Sequence, residues 1–211
     1  MVTRQRWRRH CSAVLLVVGV LSTERLVAQR TIPEALARHG SSLERSVSGG
    51  CGAPHPRFRE LLLATTDLVV RGVVRETRSY LSPNQQDVYT DYEISRPRVL
   101  YRSGSTSGGK PGMDFITVTL LGGTIEVNGL TFKSIHHALP SLHSGEEHIL
   151  LLRQSDSRFF IAGNYFGAFR VVHGRVEPSG EKAWFAQKYR GMPAAGAARA
   201  LAAAAARAHR K

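Results

Sequence analysis

Apolar and polar positions alternate with a period of two from Asp67 to about Val172, and that alternation dominates the chain. A strand sends successive side chains to opposite faces, so this period predicts half-buried β-structure. Leu68-Val69-Val70 and Val73-Val74 make one such strand, in which Gly72 permits a bend or a close backbone approach. Val88, Tyr92 and Ile94 alternate with Tyr89, Asp91 and Glu93, predicting one buried and one wet face. Arg96-Pro97 should interrupt this ladder as an edge or bulge before Val99-Leu100-Tyr101 resumes it. Phe115 to Leu121 and Thr124 to Val127 flank Gly122-Gly123, a pair suited to the positive φ of a two-residue hairpin. Asn128-Gly129 marks the next turn, before Leu130-Thr131-Phe132. Ile149 to Leu152, Phe159 to Ala162 and Phe169 to Val172 complete about seven short strands with no helical crossovers, the pattern of an antiparallel barrel or sandwich.

Helical spacing is confined to the flanks. Thr31 as N-cap and Gly40 as stop bound a short helix over Ile32 to Arg38, and a Ser/Gly/Pro-rich segment from Ser41 to Pro56 reads as linker. A second helix, Arg57 to Ala64, sets Phe58, Leu61 and Leu62 on one face and should plug one end of the β-domain. Pro193 to Lys211 is nearly all alanine with Arg199, Arg207, His209 and Arg210. Alanine favours helix, but so few large apolar side chains leave little to bury, which predicts a solvent-exposed helix or a disordered tail.

The start of the chain has a different pattern. Arg4, Arg6, Arg8 and Arg9 precede the apolar run from Ala13 to Leu21, which stops at Ser22-Thr23-Glu24-Arg25. The run is far shorter than the roughly 20 residues that span a bilayer core. A basic segment, a short apolar one and the small residue Ala28 predict a signal peptide over residues 1–28, cleaved near Ala28, and no stable membrane span after processing. The expected organisation is a signal peptide at 1–28, a short helix and linker at 29–56, a β-barrel domain at 57–178 and a basic Ala-rich tail at 179–211. Such a protein works in the periplasm or is secreted. Cleavage would remove Cys11 and leave Cys51 alone, so no internal disulfide is available and stability must come from packing.

Charge adds a preference for anionic partners. The chain carries +13, and loss of residues 1–28 would leave 24 basic against 15 acidic residues. A field of that sign favours anionic partners such as nucleic acid, acidic polysaccharide or anionic lipid head groups, and the expected partner is an unknown extracytoplasmic protein or an anionic polymer. The arginines are scattered without interleaved aromatics, which makes a poor nucleic-acid footprint. Gly104-Ser105-Thr106-Ser107-Gly108-Gly109-Lys110 has the glycine and lysine spacing of a phosphate loop. Pro111 stands where that motif needs a magnesium-binding hydroxyl, and a strand follows instead of a helix, so no nucleotide is expected.

Candidate site chemistry is limited to histidine. His136, His137, His143 and His148, with Glu146 and Glu147 beside them, are residue types that hold zinc, copper or nickel, although their spacing matches no helical pair and no zincin signature. A metal-binding protein or metal-dependent hydrolase using the His136/His137/His143 loop is therefore the alternative to a binding module. No nucleophile elbow or carboxylate pair marks a catalytic centre, and no resident cofactor is expected beyond a possible transition metal.

The strands at Asp67 to Val74, Val99 to Tyr101 and Ile116 to Val118, the Gly122-Gly123 turn and the run Gly145 to Leu152 together resemble a group of uncharacterised exported bacterial proteins. More distantly, over roughly residues 58 to 172, the chain is similar to the OB-fold domain of tissue inhibitors of metalloproteinases and netrin-type modules. The resemblance implies a small antiparallel OB-like β-barrel with a short preceding helix, and a fold specifies little about activity. In those inhibitors an N-terminal Cys-x-Cys grips the protease zinc. Cys51-Gly52-Ala53-Pro54 sits at the corresponding place, and Ala53 replaces the second cysteine. The reading taken forward is an exported, non-catalytic binding or interaction module on a mainly β fold, with the Gly104 to Gly112 and His136 to Gly145 loops as the surfaces to examine.

Overall fold

A computed structural model describes residues 31–47, 57–104, 114–156, 158–179 and 184–210. The expected signal peptide at 1–28, Cys51 with its surroundings, and the loop from Ser105 to Met113 lie outside the described residues.

The fold is mainly β, with a short helix before the sheets and a helix at the C-terminal end. Helix α1 (Ile32–His39) begins where its caps dictate. Thr31 Oγ1 accepts the Glu34 N–H at 3.4 Å, and the Glu34 carboxylate accepts the Thr31 N–H at 3.1 Å, a reciprocal capping box. Gly40, at φ +64°, ends the helix in the left-handed conformation that a Cβ disfavours. The segment expected as linker contains a strand, β1 (Leu43–Val47), and α2 (Phe58–Ala64) follows.

Two long strands, β2 (Leu68–Leu81) and β3 (Val88–Arg102), form the central antiparallel pair. β3 pairs with β4 (Phe115–Leu121), and β2 pairs with β7 (Glu147–Ser155). β7 carries β9 (Ala168–Val172), which carries β10 (Arg175–Pro178). Strand β8 (Arg158–Ile161) pairs antiparallel with β7 and parallel with β4 through Val118 and Phe159. The pairings β7–β2–β3–β4–β8 thus return to β7. A separate three-stranded sheet, ordered β1–β6–β5, contains β5 (Gly123–Val127) and β6 (Leu130–His136), with β1 parallel to β6.

Two expectations are corrected by this topology. The sheets are not wholly antiparallel, because β1–β6 and β4–β8 run parallel. Gly122-Gly123 does not close a hairpin either: β5 pairs with β6 and leaves the sheet that holds β4. With φ of +104° and +132°, the two glycines turn the chain from one sheet into the other. The expected turn at Asn128-Gly129 closes a β5–β6 hairpin, with the two residues at φ +53° and +77°.

Bulges curve the long pair. The β2–β3 register shifts between Val69 and Val70, Arg71 and Val73, and Val74 and Glu76, and Arg96 adopts φ +48° at the predicted Arg96-Pro97 interruption. At Gly72 the two strands approach closely: a Cβ there would lie 2.6 Å from Ile94 Cγ2 and 2.9 Å from the Ser95 carbonyl oxygen.

Alternate residues of β2 and β7 feed two different cores. Leu68, Val70, Val74, Leu150 and Leu152 pack with Ile94, Ile116, Val118, Leu120, Phe159 and Ile161. Val69, Ile149 and Leu151 face the other way, onto α2 and the C-terminal helices α3 (Trp184–Gln187) and α4 (Ala194–Ala208). The unbroken run Ile149 to Leu152 is explained by burial on both faces. Helix α4 departs from its expectation as a solvent helix or disordered tail: Ala194, Ala197, Ala198, Leu201, Ala202, Ala204 and Ala205 are buried. Small side chains let the helix lie close to the sheet, and Leu201 supplies the one large apolar insertion along it.

Candidate functional site

The four histidines fall into two places. His136 ends β6 in the three-stranded sheet and His137 starts the turn after it, where Arg45 bonds Asp87 at 2.8 Å and approaches Ser134 Oγ at 3.5 Å. His136 Nε2 lies 3.3 Å from the same Ser134 hydroxyl, and burial, reinforced by the Arg45 guanidinium, holds its pKa below the ordinary histidine value. His137 Nε2 instead meets Ser46 Oγ at 2.8 Å on the exposed surface.

His148 occupies β7 and is 1% exposed. Its Nε2 lies 3.1 Å from Glu146 Oε2, and its Nδ1 is buried without a hydrogen-bond partner among the described residues. Burial lowers the His148 pKa, the Arg170 and His143 charges add to that, and Glu146 opposes it. The neutral imidazole therefore donates Nε2–H to the carboxylate and leaves Nδ1 as a buried acceptor, an assignment fixed by the hydrogen-bond network. Glu146 also accepts Arg170 Nη1 at 3.2 Å, while Arg170 Nη2 reaches Glu177 at 2.9 Å. Burial would raise the Glu146 pKa, but hydrogen bonds from Arg170 and His148 outweigh it and the net shift is downward. His143 lies in the turn before β7, where its carbonyl accepts the Glu146 N–H at 3.1 Å.

The set proposed for a metal thus divides between two sheets. Among the described residues no group of three or more His, Cys, Asp or Glu side chains is arranged to hold a metal ion. The imidazoles of His136, His137 and His148 each meet a local side chain, and His148 is a core residue.

A different surface combines apolar area with charge. Helices α2 and α4 are far apart in sequence and pack side by side, leaving an open groove of about 490 Å³ bordered by Arg57, Arg59, Leu61, Leu63, Ala204 and Arg207. An adjoining hollow of about 420 Å³ shares Arg59, Ala204 and Arg207 and extends the groove to Lys188, Tyr189, Met192 and Ala200. The floor is apolar, from Leu63, Tyr189 and the alanines of α4. Leu61 stands in it 53% exposed, one of two large apolar side chains so exposed among the described residues.

The rim is basic. Arg57, Arg59, Lys188 and Arg207 are all exposed, against the single acid Glu60. Among the described residues, no ion pair holds Arg59, Lys188 or Arg207. Lys188 is steadied over the Tyr189 ring, 4.6 Å from its centroid. Several cations outside the groove are paired: Arg71 with Glu147, Arg45 with Asp87, Arg170 with Glu146 and Glu177.

Neither α2 nor α4 is marked as a site in the sequence. The signal available was the triplet Leu61-Leu62-Leu63. Three consecutive leucines subtend too wide an arc for one buried face of a short helix, so one of them must point outward. Leu62 and Leu63 are the buried pair, and Leu61, predicted inward, faces solvent among the arginines.

Together these features define a class: a mainly β domain with a basic, apolar-floored groove between helices on one sheet face. No protein-family model, curated protein or solved structure matches the chain. Among the described residues no helix is long and apolar enough to cross a membrane.

Proposed function

We propose that this chain is an exported, non-catalytic interaction module on an OB-like barrel, and that it engages an anionic partner through the groove between α2 and α4. The barrel reading is supported by the cyclic pairing β7–β2–β3–β4–β8 and by the apolar cluster drawn from all five of those strands. Export is supported by the basic-then-apolar start of the sequence.

The observation that carries the binding role is the placement of Arg59, Lys188 and Arg207 around an apolar floor with no described carboxylate paired to them. Cations so placed raise the local concentration of anions, and desolvation against alanine and leucine strengthens each contact. Chromatography on a heparin-like resin tests this. The protein should be retained, with retention falling steeply as salt rises, and the double variant Arg59→Glu/Arg207→Glu should elute much earlier. Equal retention of the variant and the native chain would reject the groove as the binding surface.

A further inference from the structure

We infer that the occupant of this groove is an acidic, amphipathic helical segment of a partner protein, an inference that rests on the binding role proposed above and narrows it to one ligand class. The floor runs along α4 from Ala200 to Ala208, about two helical turns or roughly 12 Å. Its α4 side is built from Ala200, Ala203, Ala204 and Ala208, whose small side chains allow a second helix to approach closely. Leu61 projects from the opposite wall, an exposed apolar anchor for a ridge of the incoming helix.

Charge decides between occupants. The rim cations are contributed by three separate elements, α2, α4 and the segment after α3, and border two adjoining hollows. A single carboxylate or phosphate would use one or two of them. An apolar ridge flanked by Asp and Glu would use them together, which is the helix-in-groove mode of recognition. A polymer of uniform charge would satisfy the rim and leave Leu61 and the alanines without apolar contact.

The chain cannot fill the groove itself with such a segment. Residues 1–30 carry six arginines and one glutamate, 48–56 and 105–113 hold no acid, and 180–183 holds one glutamate beside one lysine. A second copy, basic with or without residues 1–28, is disfavoured by like charge.

The test uses the full chain and three probes: a synthetic helix with an apolar ridge between two rows of glutamate, a scrambled peptide of the same composition, and heparin. The ordered peptide should bind more tightly than the scrambled one. Leu61→Ser, on an exposed position, should weaken that peptide about tenfold by removing one apolar anchor while leaving the rim cations in place. Arg59→Glu/Arg207→Glu should abolish binding of the ordered peptide and make the protein elute much earlier from heparin. Equal binding of ordered and scrambled peptides, or indifference of the ordered peptide to Leu61→Ser, would overturn the helical occupant while heparin retention kept the anionic-partner role standing. Failure of every probe to bind would remove both.

Discussion

His148 donates one ring nitrogen to Glu146 at 3.1 Å and buries the other, Nδ1, without a partner among the described residues. Protonation would put a second N–H where nothing accepts it and a cation near the Arg170 guanidinium, so the folded state keeps this imidazole neutral.

Stability should therefore decline on mild acidification. The folded-state pKa values of His148 and His136 are both lowered, so the unfolded chain takes up these protons first. The contribution is complete above the unfolded value of about 6.5 and is lost as pH falls from there towards the lower folded values. Urea denaturation at pH 7.5 and pH 5.5 should show the lower midpoint at pH 5.5, with His148→Leu reducing the difference. Glu146 adds a separate acid-side loss, because its net-lowered pKa stabilises the fold until pH drops through that folded value. Identical midpoints for the native chain at the two pH values would refute the buried neutral imidazole.

Gly72→Ala should destabilise the domain by about 1–3 kcal/mol, the usual cost of overpacking. The added methyl meets Ile94 Cγ2 at 2.6 Å and the Ser95 carbonyl at 2.9 Å, and the carbonyl belongs to backbone that cannot rotate away. Chemical denaturation measures the effect, and an unchanged midpoint would show that β2 and β3 have room there.

Gly123→Val should be worse than Gly129→Val. Both positions have positive φ, but a Cβ at Gly129 meets open space, whereas at Gly123 it meets Thr90 and lies 2.6 Å from Ser79 Oγ. The difference, read as thermal midpoints of the two variants, tests whether the Gly122-Gly123 crossover is held tightly against β2 and β3.

Leu201→Ala should cost about 2–5 kcal/mol, as for other fully buried leucines, while Arg199→Ala on the exposed face of α4 should stay within about 0.5 kcal/mol. Comparable small effects at both positions would return α4 to the status of a solvent helix.

How much of this was legible in advance depends on the range of the interaction. Thr31, Glu34 and Gly40 bound α1 through contacts within three or four residues, and Asn128-Gly129 closes the β5–β6 hairpin through its own dihedral preferences. Those features could be read directly. The candidate site could not, since its walls come from α2 and from α4, and neither helix encodes the other. The histidines looked like a site because they are close in sequence. Among the described residues no three of them gather with metal-holding geometry, and β6 and β7 belong to different sheets.

The sequence by itself determined the mainly β character, the short leading helix, the bulge at Arg96 and the close approach at Gly72, because period, capping and backbone freedom are local properties. Tertiary structure decided the rest. A period of two says which face of a strand is buried and not which strand lies beside it, so the return of β8 to β7 and the transfer of β5 to a second sheet had to come from packing. An alanine reads the same whether buried or exposed, so only the face of β2 and β7 that needed covering turned the basic C-terminal segment into a core helix and made one wall of the groove.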